Sequence, residues 1–285
     1  MKRYARPIVA SVLCGLSACG RDASYEGRSA DQWTGALTSG IARERASAVA
    51  ALAAIGPRQW SHMRPLLLAT NDSVTSIGDS ATAAVRRLPE NSQKALLKGL
   101  SDSNVMIRRA AAMGLGHFRD GDDDAIQALV AATRDSDDSV RTLAVLSLGE
   151  RSVGARAALD RIRELASQPG PQRAAALLVW PNIDTETHSF AGTYYPALND
   201  TSAAVRAAAA TMLPSAGGGH DAMPLLVKAL EDPERSVRIA AAKSLAYEAR
   251  HDTIAYDALV SLRASPDTLM RRLADSTLRT VSRSR

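Results

Sequence analysis

Arginine recurs at one spacing along this 285-residue chain, and it is the residue type that offers the most obvious chemistry. An aspartate or serine stands six residues before each of these arginines, so the row has two interpretations. It forms either a basic stripe that grips acidic groups of a partner, or a ladder of Arg–Asp pairs between neighbouring turns. Paired charges leave little free field, which favours the ladder. The candidate protein-binding residues are Arg108, Arg141, Arg173, Arg206, Arg238, Glu186 and His188.

The other chemistry-bearing residues lack the spacing that catalysis or metal binding needs. None of the five histidines is followed by Glu, and no Gly-rich phosphate loop or nucleophile elbow occurs. The acidic run 120–124 lacks the ligand spacing and terminal Glu of a calcium loop, and acids are expected at a helix start. We therefore predict no catalytic residue, no metal site and no cofactor, and we expect that the protein is not an enzyme.

The arginine spacing is part of a longer repeat, which a leucine position measures best. Successive leucine positions lie 30 to 33 residues apart, an alanine stands four residues before each, and the arginine position lies seven before. One alanine at the same place in every unit indicates a true repeat. The leucine position holds Leu52, Val85, Leu115, Leu148, Trp180, Leu213, Leu245 and Leu278.

Each unit has the pattern of two amphipathic helices joined by a short turn that contains Asp or Ser. These residues suit the turn because their side chains can cap the free N–H groups of the next helix. The same register assigns Trp180, Tyr194 and Tyr195 to the core. Residues 181–188 remain as the best exposed patch, because Pro181 is expected to end the preceding helix. Gly149 is expected in a turn.

The motif Asp-x-x-x-x-Val-Arg-x-x-Ala-x-x-x-Leu occurs at 135–148, 200–213 and 232–245 and resembles the short bacterial type of HEAT repeat. The resemblance covers nearly all of residues 29–285. It implies an all-α fold, an α-solenoid of about eight two-helix repeats in a right-handed superhelix, with second helices on the concave face. Because no repeat buries its apolar face alone, we expect one domain.

The N-terminus has the features of an export signal. Lys2 and Arg3 precede a short apolar stretch, and Leu16-Ser-Ala-Cys19 follows. This segment resembles the lipobox of bacterial lipoproteins, which implies removal of residues 1–18 and lipid attachment at Cys19. Residues 19–28 are then expected to form a tether. By the same resemblance, the absence of Asp after Cys19 favours the outer membrane, with the protein facing the periplasm.

Charge and cysteine content exclude several classes of function. The net charge of the chain is +5. Removal of residues 1–18 lowers it to about +2, because 32 basic and 30 acidic residues remain. That excess is too small to drive binding to phosphates, so we expect no nucleic-acid partner. Both cysteines, Cys14 and Cys19, lie at the export signal, so the repeats hold no disulfide.

These features together predict a lipid-anchored envelope protein whose solenoid is a scaffold or adaptor for an unidentified protein or peptide. Two alternatives stay open. One is an enzyme or enzyme subunit related to the HEAT-like tetrapyrrole lyases, and the other is a purely structural envelope protein. A contiguous exposed apolar patch would favour the scaffold, a deep pocket with a perturbed His or Asp would favour the enzyme, and a uniformly paired surface would favour the structural protein.

Overall fold

The computed structural model describes residues 24–118, 123–186 and 190–282, and these residues form eight consecutive helix pairs. The first helices of the pairs are α1 Ala30–Ala36, α3 Trp60–Ala69, α5 Gln93–Gly99, α7 Asp123–Ala132, α9 Leu159–Ser167, α11 Ala191–Ala197, α13 Met223–Ala229 and α15 Thr253–Leu262. The second helices are α2 Ala42–Ile55, α4 Thr75–Val85, α6 Val105–Leu115, α8 Asp138–Glu150, α10 Arg173–Ile183, α12 Ala203–Met212, α14 Arg235–Glu248 and α16 Thr268–Ser282. The all-α solenoid and its repeat number are confirmed.

The alanine and leucine positions form the core between the two layers of helices. All eight alanine-position residues are fully buried, and a methyl group there lets neighbouring helices approach closely. The leucine positions are also buried, except that Leu278 in the last repeat is only partly covered. Trp180 occupies its leucine position with 8% of its surface exposed, as the register predicts.

The two layers differ in how closely their helices pack. Successive second helices contact one another extensively from α6 through α14, whereas successive first helices touch over shorter stretches. The second helices therefore form the more closely packed of the two layers. Among the described residues, none of the helices has the length and hydropathy that a membrane span requires.

Each turn aspartate of the repeat stands two residues before the N-cap of the second helix. Its Oδ1 accepts the N–H of the residue two positions on, which is itself the N-cap of the second helix. In the third repeat, Asp102 holds Asn104 at 2.8 Å, and Asn104 then accepts the N–H of Met106. The prediction that these aspartates cap the helix directly was therefore wrong by one link, because the side chain closes an Asx turn first.

Two predicted helix breaks do not occur. Gly149 lies inside α8 rather than in a turn. Glycine suits this position because a Cβ would overlap Val179 of α10. Pro181 lies inside α10, which continues to Ile183. Proline cannot donate an N–H to the carbonyl four residues earlier, that of Leu177, and the buried hydroxyl of Tyr194 donates to this oxygen instead, at 2.6 Å.

The two tyrosines of α11 differ in their burial. Tyr194 is fully buried, as predicted, whereas Tyr195 is only half-buried and was wrongly assigned to the core. The same difference appears in other first helices, where the second residue of an apolar pair is partly exposed. Val260, next to the fully buried Leu259, has 45% of its surface exposed. One face of each first helix is therefore buried, and the adjoining residue lies at its edge.

A short hairpin precedes the first repeat. Strands β1 Ser24–Tyr25 and β2 Arg28–Ser29 pair in antiparallel fashion, and the indole N–H of Trp33 donates to the carbonyl of Tyr25 at 3.0 Å. The guanidinium of Arg28 lies 4.2 Å from the Trp33 ring centre. Residues 24–28, expected to belong to the tether, are therefore folded onto the first repeat because Trp33 binds them. Cys19 and the export signal lie outside the described residues.

Candidate protein-binding face

The arginine position lies in the first turn of the second helix, and in repeats 1, 3, 5 and 6 its side chain joins two repeats. Arg108 on α6 donates from Nε and Nη2 to both carboxylate oxygens of Asp135 in the next turn, at 2.8 and 3.0 Å. Its Nη1 also donates to the carbonyl of Asp102 in its own turn, at 3.1 Å. One guanidinium therefore bridges consecutive turns through a bidentate, charge-assisted pair.

Three further pairs join consecutive turns: Arg45–Asp72 and Arg206–Asp232 are bidentate in the same way, and Arg173 reaches Asp200 through Nη1 while its Nε donates to the carbonyl of Ala166. Their side chains are mostly buried, with 14% or less exposed. Hydrogen bonds from Arg206 hold the pKa of Asp232 below its ordinary value of 3.8, and Arg45 has the same effect on the pKa of Asp72. These arginines hold the repeats together rather than presenting free charge.

The remaining arginines show what happens where the ladder is incomplete. The repeats after Arg141 and Arg238 carry Ser167 and Ser265 at the aspartate position, so no carboxylate is in place. Arg141 pairs with Asp138 on its own helix. Arg238 donates to the turn carbonyls of Asp232 and Pro233 at 2.7 and 2.8 Å, and it makes no ion pair with a described residue.

Glycine replaces arginine once in the row, and another helix supplies the missing cation. Gly78 stands at the arginine position of α4, where a Cβ would lie 3.1 Å from the carbonyl oxygen of Thr70. Asp102 of the next turn is paired with Arg64 of α3, whose Nε donates at 2.8 Å. The sequence register could not reveal Arg64, because it lies on a first helix and outside the repeating motif.

The structure separates Glu186 from the arginine row. Arg173 lies at the first residue of α10 and Glu186 lies beyond its last, so the length of the helix, about 15 Å, stands between them. Glu186 is exposed and pairs with Arg156, while the nearby Asp184 is buried and accepts from Arg163 of α9 at 2.7 Å. These contacts direct residues 184–186 toward the first-helix side. His188 lies outside the described residues.

A row of apolar side chains lies on the side of the second helices that points away from the core. Met113, Leu146 and Leu178 stand two residues before the leucine position on α6, α8 and α10, which pack side by side. At 100° per residue, this position points almost opposite to the buried leucine. All three are half-buried. The equivalent residues of the other repeats are exposed and small or polar: Ala50, Ala83, Thr211, Lys243 and Ser276.

Sequence reasoning missed this apolar row, although the repeat register contains the signal. The leucine and alanine positions identify the core, whereas the signal for the apolar row lies two residues before the leucine position. That comparison shows large apolar residues in repeats 3–5 and polar or small residues elsewhere. The side chains four residues on either side are mostly polar, which gives the row a hydrophilic rim: Arg109, Thr142, Ala174, His117, Glu150 and Asn182.

The titratable side chains of the described residues mostly lie in ion pairs spread along the solenoid. Within the described ranges, no group of three His, Cys, Asp or Glu side chains could hold a metal ion. The aspartates whose pKa is lowered lie in contact with arginine or histidine, as in the pairs described above. Burial raises the pKa of Tyr194, whose hydroxyl donates to the Leu177 carbonyl of α10.

Comparisons with known proteins agree with this architecture. The family described as HEAT repeats matches residues 93–179 and 194–279. No curated protein matches the sequence. Solved structures with the same fold include YibA of Escherichia coli, with a TM-score of 0.52 and 21% identity over 71% of this chain and 76% of that chain.

Two further similar structures are chains of complexes. A chain in a homology model of the full-length AP-3 complex in an intermediate open conformation has a TM-score of 0.55 and 13% identity, covering 87% of this chain and 50% of that one. A chain of the S. pombe condensin Cnd3–Cnd2 subcomplex has a TM-score of 0.51 and 21% identity, covering 90% of this chain and 38% of that one. At these identities, the likeness shows the fold alone.

Proposed function

Because the chain belongs to the HEAT-repeat family, we propose that it is a non-catalytic interaction module that binds a protein or peptide along its second-helix face. The observation that carries the proposal is the apolar row of Met113, Leu146 and Leu178. Apolar side chains aligned on three neighbouring helices, with polar residues around them, are the usual arrangement of a protein-binding surface. The arginines first considered for this role are mostly engaged in joining the repeats.

The apolar row can supply a useful part of a binding free energy. Complete burial of a Leu or Met side chain contributes about 1.5–3 kcal/mol, so a side chain that is already largely covered retains on the order of 0.5 kcal/mol for a partner. Three such residues correspond to roughly tenfold in affinity. Methionine at one end adds a flexible side chain that adapts to irregular partner surfaces.

The proposal includes export and attachment to the bacterial envelope through lipid on Cys19. Support comes from the basic and apolar segments that precede Leu16-Ser-Ala-Cys19. Several acyl chains at one cysteine make attachment stable, whereas a single chain gives marginal binding. Attachment would concentrate the second-helix face near envelope proteins and strengthen otherwise weak contacts.

The function is tested by photo-crosslinking in the cell from two matched positions. A photoreactive residue replaces Leu146 in the apolar row or, as the control, Val260 on a first helix, which is 45% exposed. We expect the same identified partner to be captured from position 146 and not from position 260. Capture of nothing, or equal capture from both faces, would contradict the proposal.

A second pair of changes keeps the test independent of folding. Threonine occurs naturally at the equivalent position of the sixth repeat, as Thr211, so the fold accepts it there. We expect the double variant Met113→Thr with Leu178→Thr to reduce capture from position 146 several-fold. The urea unfolding curve of the variant shows whether the solenoid is intact.

A further inference from the structure

A groove opens between the ends of α14 and α16 in the last two repeats. Its volume is about 540 Å³, and its walls include Tyr247, Arg250 and His251 from the end of α14. Ser276, Thr280 and their neighbours line the α16 side. We call this cavity the Tyr247 groove.

The Tyr247 groove is cationic, and no carboxylate of a described residue lines it. Lys243 lies one helical turn before Tyr247, and Arg272 lies one turn before Ser276, so the positive charge extends along both walls. Lys243, Arg250 and Arg272 make no ion pair with any described residue. They differ in this respect from the arginines that join consecutive repeats.

Two of the acidic residues nearest in sequence are paired with other cations. Asp275 is paired with Arg263 at 2.9 Å, and Asp252 is paired with His220. Glu248 does not line the groove. The hydroxyls of Ser276 and Thr280 donate to carbonyls of their own helix, so the donors available to a ligand are the cationic groups.

The C-terminal ends of α14 and α16 carry partial negative charge that repels an anion, so this charge must be compared with that of the cations. The C-terminal end of each helix is equivalent to roughly half a negative charge, and the effect fades within one turn. Two helices therefore contribute about one negative charge in all, and Glu248 adds another next to Tyr247. Opposed to them are the full positive charges of Arg250 in the groove wall and of Lys243 and Arg272 one turn beyond it, so the cations outweigh the negative charges.

Tyr247 adds an aromatic contact surface, with 79% of its surface exposed. An exposed tyrosine is a rigid anchor, because it has few rotatable bonds and its ring packs against apolar side chains while its hydroxyl stays hydrated. Exposed apolar area of this size beside unpaired cations favours a peptide with both acidic and apolar side chains.

The groove belongs to the same face as the apolar row. Lys243 and Ser276 occupy the register position that Met113, Leu146 and Leu178 hold in repeats 3–5. Helix pairs stack about 10 Å apart, so Leu178 and Lys243 are separated by about 20 Å. An extended segment of about six or seven residues covers this distance.

We propose that the Tyr247 groove binds an acidic segment of the partner protein, with carboxylates paired to Arg250 and Arg272 and an apolar side chain against Tyr247. The inference rests on the proposed function and names the chemistry of its partner. A concave groove between two helices suits a peptide chain, whereas a membrane surface is flat and contacts protruding residues. The acidic segment lies in the partner sequence next to the stretch that covers the apolar row.

The test measures binding of a fluorescein-labelled peptide that carries a run of glutamates and one phenylalanine to the full chain. We expect the double variant Arg250→Glu with Arg272→Glu to weaken binding at least tenfold, and Tyr247→Ala to weaken it several-fold. Arg43→Glu is the charge control, because Arg43 is exposed on α2 at the opposite end. It should leave affinity within about twofold, since the electrostatic effect is local.

Three results would overturn the inference. The first is unchanged peptide affinity in the Arg250/Arg272 variant, and the second is an equal loss in Arg43→Glu. The third is binding to vesicles of phosphatidylglycerol that depends on Arg250 and Arg272 while peptide binding does not, which would assign the groove to lipid. Crosslinking from position 146 is unaffected by these outcomes, so the general binding function stands or fails separately.

Discussion

At the level of single residues, the carboxylate at the aspartate position joins the preceding repeat to its own turn. Asp232 accepts two hydrogen bonds from Arg206 of the preceding repeat, at 2.7 and 2.9 Å, and closes its own turn through the N–H of Glu234 at 2.8 Å. Its removal would leave a mostly buried guanidinium without its charged acceptor and would open the turn. Both effects weaken the junction between the sixth and seventh repeats.

We therefore expect Asp232→Ser to lower the free energy of unfolding by about 1–3 kcal/mol at pH 7, the range for hydrogen bonds to charged groups. The folded-state pKa of Asp232 lies below its ordinary value of 3.8, so its contribution is complete above that pH and disappears as the pH falls further. The difference between wild type and variant should therefore shrink between pH 4 and 2. Urea unfolding at both pH values measures it.

Glu231→Ser is the matched control for this residue. Glu231 is adjacent in sequence, exposed, and makes no side-chain ion pair with a described residue. Its replacement should change stability by no more than about 0.5 kcal/mol. If the two serine variants were equally stable, the arginine row would have to be regarded as a surface feature without a structural role.

Helix α10 shows how one element depends on a side chain from the next repeat. Pro181 removes the N–H that would bind the carbonyl of Leu177, and the Tyr194 hydroxyl takes its place. A proline in a helix interior costs about 3 kcal/mol, partly through this lost bond. The replacement explains why α10 extends past Pro181 to Ile183.

We expect Tyr194→Phe to lower the free energy of unfolding by about 1–3 kcal/mol, because the Leu177 carbonyl is then buried without a donor. Adding Pro181→Ala should recover most of this loss, since alanine restores the backbone N–H. Tyr195→Phe is the control, because Tyr195 is half-buried and makes no hydrogen bond to a described residue. Equal effects of the two single tyrosine variants, or no recovery by Pro181→Ala, would contradict this account.

The elements also show how far the sequence could predict the structure. Alanine at one place in all eight repeats identified the register, and with it the helix pairs and the core. The register could not show that Arg64 replaces the missing cation at Gly78, or that Tyr194 repairs the helix at Pro181. Arg64 lies outside the repeating motif, and the motif does not require a hydroxyl at the apolar position of Tyr194, so no spacing rule contains these contacts.

The candidate site was predicted less well than the fold, for a related reason. Guanidinium groups are conspicuous in a sequence, but whether they are free depends on carboxylates about 27 residues away, as for Arg108 and Asp135. The apolar row was overlooked because half-buried methionine and leucine resemble core residues until their angular position is compared. The 24–29 hairpin was missed because two-residue strands have no detectable alternation.

The proposed attachment to the envelope concerns the molecule as a whole. We expect Cys19→Ala to move the protein from the membrane fraction to the soluble fraction, because no acyl chain can then be attached there. Cys14→Ala is the matched control and should leave the protein in the membrane fraction. Fractionation followed by immunoblotting measures both, and membrane association of the Cys19 variant equal to that of the wild type would refute lipidation.

The hairpin at residues 24–29 also determines how such a protein would stand on a bilayer. Only residues 20–23 separate Cys19 from the first strand, so a fully extended leash reaches no more than about 18 Å. Eight repeats at about 10 Å each make an arm of roughly 80 Å. The first repeat would therefore be held close to the lipid. The far end, with the Tyr247 groove, would move through the largest distance and could bind partners that lie well away from the membrane.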